Sequence, residues 1–410
     1  MNNIPLPVSE AHSLILERVG PLESQLLPHA EVLGRVLAQS ITSPLDLPSF
    51  ANSAMDGFAL VAADLEHAPQ TLRLLETIGA GEVASHTVQR GTCIKIMTGA
   101  PLPRGADCVL MREETREFNG QVEFHETART GQNVRPQGDD VREGEVVFQA
   151  GTPISAAGHA MLASLGCARV EVFRRPRVAL VVTGKELVDV DAPLLPGQIR
   201  DSNSWALRAL VAQCGAEVAS VTRTGDDVSE VEAVLRAASQ NADCVVTSGG
   251  VSVGDFDPIR DVLLKCAQVH FWKVAMRPGK PLMFASLEEK PVFALPGNPV
   301  SVMIGFEEFV RPALFGMAGR RAWKRIEVEA RLQGDLHSPP DRTEFVRAHL
   351  KRQSEGFLAL GTGDQGSGRL SSMVRANALL EIPSDTTFLP AGSPVRAKLL
   401  EDAAFEDGAL

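Results

Sequence analysis

A pair of glycines follows a short apolar run in the second half of the chain. Residues 244–247 read as a buried strand, Ser248, Gly249 and Gly250 come directly after it, and Ser252 lies two positions further on. Glycines let backbone N–H groups approach an anion closely, and serine hydroxyls add further donors. The pattern favours a phosphate or a pterin-like ligand, although a Gly-Gly pair is also the composition of a plain turn.

Acidic residues follow neighbouring strand ends. Glu186 comes after the apolar run 178–182, Asp226 lies where a strand gives way to a helix, and Asp257 closes the glycine loop. Asp257 precedes a proline, so it is also suited to cap the next helix. Open α/β sheets bind ligands at the carboxyl ends of their strands, so we expect these carboxylates to converge. Carboxylates would repel a phosphate unless a hard cation lay between them. This predicts Mg²⁺ held by one or two carboxylates plus substrate phosphates.

Three cations lie in one Pro/Gly-rich loop. Lys273, Arg277 and Lys280 would balance the acidic residues and bind an anion, or else they are solvated loop charges. A second loop, with Pro296, Asn298 and Pro299, precedes the apolar run 300–309. This loop reads as a turn that starts a helix, whose N-terminal amides are either capped or face an anion.

Composition limits the class of protein. The 410 residues suggest two to four domains, and the net charge of −11 argues against a nucleic-acid or anionic-lipid partner. No apolar run approaches the ~20 residues that span a bilayer, and no secretory signal is recognisable, so we expect a cytoplasmic protein. Six scattered cysteines without close pairs suit a reducing compartment and argue against a zinc site or a disulfide framework.

Periodicity predicts an α/β multidomain chain. Strands and helices alternate in its centre, Ser229 and Glu232 resemble a capping box, and apolar spacing predicts helices at 9–19 and 156–165 that pack on each other. The predicted domains are a helical linker domain (1–45 plus 146–175), an inserted β-rich domain (46–145), a doubly wound α/β domain (176–325) and a C-terminal β-barrel-like domain (326–410).

Six motifs in order carry a resemblance to a known family. They lie at residues 52–57, 97–101, 131–135, 248–254, 278–281 and 296–299. With these motifs the chain resembles the MoeA family of molybdopterin molybdenumtransferases, and it is similar to the corresponding gephyrin domain. The resemblance implies an elongated four-domain homodimer with shared active sites. It also implies Mg²⁺-dependent hydrolysis of adenylylated molybdopterin, release of AMP and insertion of molybdate into the dithiolene.

The resemblance further implies roles for individual residues. Glu186, Asp226 and Asp257 would surround Mg²⁺ or the attacking water, and Asp56 would act with them from the partner subunit. The implied substrate-binding residues are Thr98, Arg135, Asp140, Ser248, Gly249, Gly250, Ser252, Lys273, Arg277, Lys280, Pro296, Asn298, Pro299, Ser367 and Ser371. A molybdopterin adenylyltransferase and apo-molybdoenzymes are the implied protein partners.

Several residues also have structural explanations. Asp56 before Gly57 suits a type I′ turn, Thr98 suits a turn cap, and Arg135 with Asp140 would form an exposed ion pair worth little. The chain departs from the family pattern at Ala51, Phe58 and Lys185. Lys185 matters most, because a cation beside Glu186 would compete with Mg²⁺ or bind substrate phosphate itself.

Two rival functions stay open at this point. A nucleotide pyrophosphatase of the CinA type would use the same glycine loop and carboxylates without the inserted domain. A non-catalytic scaffold would use the dimer and the C-terminal domain for docking, although the retained acidic residues argue against it.

Overall fold

The structure is a computed structural model that describes residues 4–251 and 257–400. A six-stranded sheet forms the centre of the chain. Its first four strands run parallel to one another, and the last two pairings of the sheet are antiparallel. In spatial order the strands are Glu217–Thr224, Arg177–Thr183, Cys244–Ser248, Lys290–Leu295, Met283–Leu287 and Gln268–Trp272.

Helices cover both faces of this sheet. Val178 and Leu180 point into one core and Ala179 and Val181 into the other, as expected of a parallel strand with apolar residues throughout. The helices are Asn203–Gln213, Val228–Asn241, Pro258–Cys266, Pro299–Gly305 and Arg311–Met317, with one π-helical turn at Phe306–Val310 between the last two. The predicted doubly wound α/β fold is confirmed.

The helix Val228–Asn241 begins differently from the prediction. Asp227 is its N-cap, and the carboxylate accepts hydrogen bonds from the amides of Ser229 and Glu230 at 3.0 Å each. The predicted capping box of Ser229 and Glu232 is wrong because Asp227, with an extended backbone, reaches the orphan amides of the first turn from an earlier position.

The N-terminal segment divides between two parts of the molecule. Helix Val8–Leu16 packs on the helical segment Phe306–Met317, with Ala11 and Ile15 in the α/β core. Helix Ala156–Ser164 packs instead on the short 3₁₀ helix His29–Glu31. The predicted packing of the two helices on each other is therefore wrong, because the apolar face of the first one is already covered by the α/β domain.

Two strand pairs close the base of an insertion. Ser24–Pro28 pairs with Arg169–Phe173, and Ile41–Thr42 pairs with Val146–Phe148. Between them lies a six-stranded sheet with two apolar cores of its own. In spatial order its strands are Cys108–Met111, Gly57–Leu60, Thr92–Ile96, Gln70–Ile78, Gln121–Phe124 and Thr115–Phe118. The insertion also holds the strand pair Asn52–Ser53 with Val134–Arg135 and the 3₁₀ turns Ala62–Leu65 and Arg112–Glu114.

The C-terminal strands close on themselves. Thr343–Gln353 pairs with both Gly356–Gly361 and Ala378–Ile382, so the ring of pairings is complete. The other two members of this five-stranded barrel are Glu327–Leu332 and Pro394–Leu399. The short strand Met276–Arg277 of the α/β domain joins the barrel in parallel at Thr343–Gln353.

Smaller elements complete the described chain. They are the strand pairs Leu187–Val188 with Ile199–Arg200 and Leu336–His337 with Phe388–Leu389, and the short helix Leu370–Val374. Within residues 4–251 and 257–400, none of the helices has the length and apolar character needed to cross a bilayer.

Candidate active site

Three loops meet at the carboxyl ends of the parallel strands, and we call this place the strand-end edge, defined by Thr183, Ser248, Gly249 and Gly297. A Cβ on Gly249 would lie 2.6 Å from Thr183 Oγ1, and one on Gly297 would lie 3.7 Å from Gly249 Cα. Gly249 and Gly250 also have φ values of +94° and +66°. Both positions therefore need glycine, because a side chain would clash and the left-handed backbone would be strained.

Asn203 joins two of these loops and was missed in the sequence. Its Nδ2 donates to Ser248 Oγ and to the Gly297 carbonyl oxygen, at 2.8 Å each. Asn203 is the first residue of helix Asn203–Gln213. An asparagine at the start of a helix is usually explained by capping. No signal in the sequence therefore indicated that this side chain bonds to two loops that follow other strands.

Four buried polar atoms at this end of the sheet have no hydrogen-bond partner among the described residues: Asn203 Oδ1, Thr224 Oγ1, Thr247 Oγ1 and Asp257 Oδ2. Each buried polar group without a partner costs about 1–3 kcal/mol. These four atoms lie near the carboxyl ends of the strands, and Asp257 Oδ2 has only an ion-pair contact.

Asp257 is held at the edge without capping its helix. Its residue is only 6% exposed, and its side chain makes no capping hydrogen bond to helix Pro258–Cys266. Arg260 Nη1 lies 3.5 Å from Asp257 Oδ2 as an ion-pair partner. The alternative that this carboxylate is merely a helix cap is therefore wrong.

The other two predicted metal ligands are more exposed. Lys185 Nζ lies 3.2 Å from Asp226 Oδ2, so the departure at Lys185 engages Asp226 rather than Glu186. The Glu186 carboxylate folds over Gly184, where a Cβ would lie 2.8 Å from Oε1. Across the described parts of the chain, no group of three or more His, Cys, Asp or Glu side chains is arranged to hold a metal ion.

Lys273 faces the glycine loop. The residue is 9% exposed, and its ammonium lies 4.3 Å from the centre of the Trp272 ring. The Trp272 indole N–H in turn donates to the carbonyl of Val251 at 3.4 Å. For Lys273 the alternative of a solvated loop charge is wrong, because the side chain is buried against an aromatic face beside the loop.

The remaining cations have different surroundings. Arg277 Nε lies 3.4 Å from Glu344 Oε1 of the barrel, and the Arg277 side chain is 46% exposed. Lys280 is half-buried and makes no ion pair with any described residue. The three cations of this loop are thus unequal, and Lys273 is the most buried of them.

A loop of the C-terminal barrel reaches the turn at Asn298. Asn298 Nδ2 donates to Ser367 Oγ at 3.0 Å, and the Val300 amide donates to the Ser367 carbonyl at 3.1 Å. The first amide after Pro299 is therefore capped by the barrel and does not face an anion. Pro296 is buried beside this turn, and Ser371 lies exposed in helix Leu370–Val374.

A buried arginine, also missed in the sequence, fixes that barrel loop. Arg347 is 1% exposed and donates to the Gly366 carbonyl at 3.2 Å and to Ser372 Oγ at 3.1 Å. Burial lowers the pKa of Arg347 to about 10. From the sequence alone, an arginine in the middle of the strand Thr343–Gln353 is expected to face solvent. Only the position of the barrel loop shows that this side chain is buried.

A second set of candidate residues lies in the inserted domain, and we call the pair Asp56 and Thr98 the Asp56 ledge. Asp56 Oδ1 accepts from both the amide and the hydroxyl of Thr98, at 2.7 Å each. These hydrogen bonds lower the pKa of the exposed Asp56 carboxyl. The type I′ turn is excluded, because neither Asp56 nor Gly57 has a positive φ. A Cβ at Gly57 would instead lie 1.9 Å from the Leu110 carbonyl oxygen, so close strand packing requires this glycine.

Arg135 and Asp140 lie on the same domain. Arg135 is exposed on the strand paired with Asn52–Ser53, and Asp140 is exposed with its amide bonded to the Leu47 carbonyl. The alternative of an ion pair between these two side chains is wrong in the described structure. Both side chains are exposed to solvent. Ser252 lies outside the described residues.

The two sets of candidate residues are separate within one chain. No hydrogen bond or ion pair joins a described residue of 46–145 to a described residue of 176–325. The inserted domain is connected through the strand pairs at its base. The structure thus brings the strand-end edge and the barrel loop together, and it leaves the Asp56 ledge apart from them.

Family profiles match most of the chain. The MoeA N-terminal region (domain I and II) matches residues 6–166, the probable molybdopterin binding domain matches 179–316, and the MoeA C-terminal region (domain IV) matches 329–400. The three profiles follow one another in the order of the domains described above.

Relatives are similar over nearly their whole length. A molybdopterin molybdenumtransferase of Haemophilus influenzae is 36% identical over 95% of this chain and 97% of its own. One from a Nostoc species is 38% identical over 95% of this chain and 93% of its own. The crystal structure of the molybdopterin biosynthesis moeA protein from Pyrococcus horikoshii superposes with a TM-score of 0.84 at 32% identity, covering 97% of this chain and all of that one.

Proposed function

Because the chain belongs to the MoeA family of molybdopterin molybdenumtransferases, we propose that its strand-end edge binds adenylylated molybdopterin and exchanges the adenylate for molybdate. The chain is a transferase of molybdenum cofactor biosynthesis. In the proposed reaction, water attacks the pyrophosphate link, the bridging P–O bond breaks, and AMP leaves. The two dithiolene sulfurs then form Mo–S bonds to molybdate, and one molybdate oxygen leaves as water with the two protons of the thiols, so molybdenum keeps its oxidation state.

The observation that carries this proposal is the set of buried polar atoms without partners at the strand-end edge. They lie beside a turn that holds Ser248 and two glycines with positive φ, a backbone in which N–H groups can approach a phosphate closely. Lys273, buried beside that turn, supplies a positive charge where the ligand is anionic. A phosphate ester of a flat, polar pterin satisfies such a set of donors and acceptors.

Asp257 is the residue best placed to hold Mg²⁺. One of its oxygens is buried without a hydrogen bond, and substrate phosphates would complete the ligand set. When bound, the cation stabilises negative charge that develops on the pyrophosphate. Asp226 can become a second ligand of the cation, because its ion pair with the exposed Lys185 lies at the surface and costs little to break. Glu186 would then orient the attacking water.

The Asp56 ledge completes the proposed site from a second subunit. Within one chain the ledge makes no hydrogen bond or ion pair with the described α/β domain. A homodimer that places the inserted domain of one subunit over the strand-end edge of the other would add Asp56, Thr98, Arg135 and Asp140 to each site. Two sites of this kind follow from one two-fold axis.

The barrel loop closes the other side of the proposed site. Ser367 already contacts Asn298, and Ser371 lies exposed a few residues further on. Arg277, Lys280, Pro296 and Pro299 would shape the anion pocket between this loop and the edge. We further propose a cytoplasmic setting, in which a molybdopterin adenylyltransferase delivers the substrate and apo-molybdoenzymes receive the product. The six cysteines are free thiols, which suits that setting.

The test is AMP release by purified protein from adenylylated molybdopterin and Mg²⁺, with and without molybdate. We expect release only when molybdate is present, with a parallel tungstate arm to show which oxyanion is preferred. AMP release at the same rate without any oxyanion would overturn the proposal and favour a nucleotide pyrophosphatase. No release under any condition would favour a scaffold.

A further inference from the structure

Asn203 holds two loops of the strand-end edge at a fixed separation. Its Nδ2 lies 2.8 Å from Ser248 Oγ and 2.8 Å from the Gly297 carbonyl oxygen. A carbonyl oxygen only accepts hydrogen bonds, so the amide must present its nitrogen here, and its orientation is settled by chemistry. Both N–H groups of this amide are then in use, one for each loop.

This arrangement determines what the Ser248 hydroxyl can do. Because Ser248 Oγ accepts from Asn203, its own proton remains for donation to another acceptor. Ser248 is 1% exposed and lies directly before the two glycines, in the turn to which the proposed function assigns the phosphate. A serine free to rotate would spend part of its time donating to a backbone carbonyl instead.

The second bond of Asn203 acts on the neighbouring turn. Gly297 packs against Gly249, since a Cβ on Gly297 would lie 3.7 Å from Gly249 Cα. The Asn298 side chain on the same turn bonds to Ser367 of the barrel. The Asn203 amide thus connects the glycine turn with the turn that carries the barrel contact.

From these contacts we infer that Asn203 is a positioning residue for substrate. It keeps the Ser248 hydroxyl as a donor to a phosphate oxygen and keeps the Gly297 turn against the glycine turn. The inference rests on the proposed function, because it assigns the phosphate to the same edge.

Two substitutions separate the contributions of size and of hydrogen-bond donors. Asn203→Ala removes the amide, and we expect KM for adenylylated molybdopterin to rise about tenfold while kcat stays within about twofold, the pattern of lost uniform binding. Asn203→Asp keeps the size but presents oxygen to the Gly297 carbonyl and draws the Ser248 proton to itself. We expect its KM to rise about a hundredfold.

A double-mutant cycle with Ser248→Ala tests whether Asn203 acts through that hydroxyl. If it does, adding Asn203→Ala to Ser248→Ala raises KM only about threefold further, instead of tenfold, because only the Gly297 contact remains to be lost. The matched control is Asn241→Ala. Asn241 is exposed at a helix end and donates to the Ala237 carbonyl at 2.8 Å, far in sequence from the loops.

Calorimetric titration of adenylylated molybdopterin without molybdate accompanies the kinetics, with circular dichroism and thermal melting as folding controls. Weaker binding in Asn203→Ala, with a melting curve like that of Asn241→Ala, supports the inference. Wild-type KM and affinity in both Asn203 variants, or a fully additive double-mutant cycle, would overturn it. If Asn203→Asp does not fold, Asn203→Ala decides. If the wild-type protein releases no AMP in a molybdate-dependent way, the proposed function fails, and the titration still reports whether Asn203 affects ligand binding.

Discussion

The strand-end edge and the Asp56 ledge differ most in burial. At the edge, Asp257 and Lys273 are less than a tenth exposed, and their neighbours form hydrogen bonds across three loops. On the ledge, Asp56 and Thr98 are exposed and bond mainly to each other. The edge is therefore assembled within one chain, whereas the ledge is an exposed surface, and we propose that a second subunit covers it.

This difference has an electrostatic side. Hydrogen bonds from Thr98 lower the pKa of Asp56, so its carboxylate is ionised at neutral pH. The two Thr98 donors fix the orientation of this exposed carboxylate, but surrounding water screens its charge. Covering it with the edge of a partner subunit would strengthen its interaction with substrate. We therefore expect larger effects for substitutions at the edge than on the ledge.

The largest effect is expected at Asp257. Asp257→Asn keeps the volume and removes the charge, so AMP release should fall roughly a hundredfold or more, because charge on the pyrophosphate is no longer stabilised. Asp261→Asn on the same helix, where Asp261 pairs with Arg260 at 2.9 Å, is the matched control. Turnover near that of the control at saturating Mg²⁺ would contradict a role for this carboxylate.

The second-largest effect is expected at Lys273, whose substitution should reduce ligand affinity more than substitution of Arg277. Lys273→Ala should weaken the binding of substrate by about 1–3 kcal/mol, the range of charge-assisted hydrogen bonds. Arg277→Ala should cost less, because its guanidinium is half exposed and shared with Glu344. Lys280→Ala should cost least of the three. Titration of adenylylated molybdopterin and of molybdate into each variant measures this order.

Lys265→Ala provides the control for removing a lysine, since Lys265 is exposed and paired with Glu232 at 3.0 Å. Equal affinities for both ligands in the Lys273 variant and in this control would show that the loop is not the anion site.

The smallest effect is expected at Thr98. Thr98→Val removes the hydroxyl, the main cause of the lowered pKa of Asp56, and leaves the amide in place. The pKa of Asp56 then rises toward its ordinary value, so the acidic limb of the pH–activity profile moves to higher pH. Thr130→Val, which removes a similar exposed bond to Asp107, is the control. An unchanged acidic limb would mean that Asp56 does not titrate in the reaction.

Much of the edge could be predicted from strand ends alone. The apolar runs at 178–182 and 244–247 were recognisable, and parallel strands bring the loops after them to one side of the sheet. Asn203 and Arg347 were missed because each side chain acts on loops far away in sequence. The predictions for the cap at Asp227 and for the packing of helix Val8–Leu16 were wrong. In both cases the sequence offers several acceptable partners, and spacing alone does not show which of them is used.

The motifs around Asp56 identified the residues of the ledge but not its separation from the edge. Whether two domains touch depends on the strand pairs at the base of the insertion, and periodicity within either domain carries no information about that.

The measurement that tests the shared site most directly mixes two inactive variants. The Asp56→Ala and Asp257→Asn proteins, which we propose are homodimers, are dissociated together and reassociated, and molybdate-dependent AMP release is compared with that of each parent. If one site takes Asp257 from one subunit and Asp56 from the other, each mixed dimer has one intact site, and the mixture should recover about a quarter of wild-type activity. A mixture no more active than its parents, with mixed dimers confirmed by differently tagged subunits, would contradict the account.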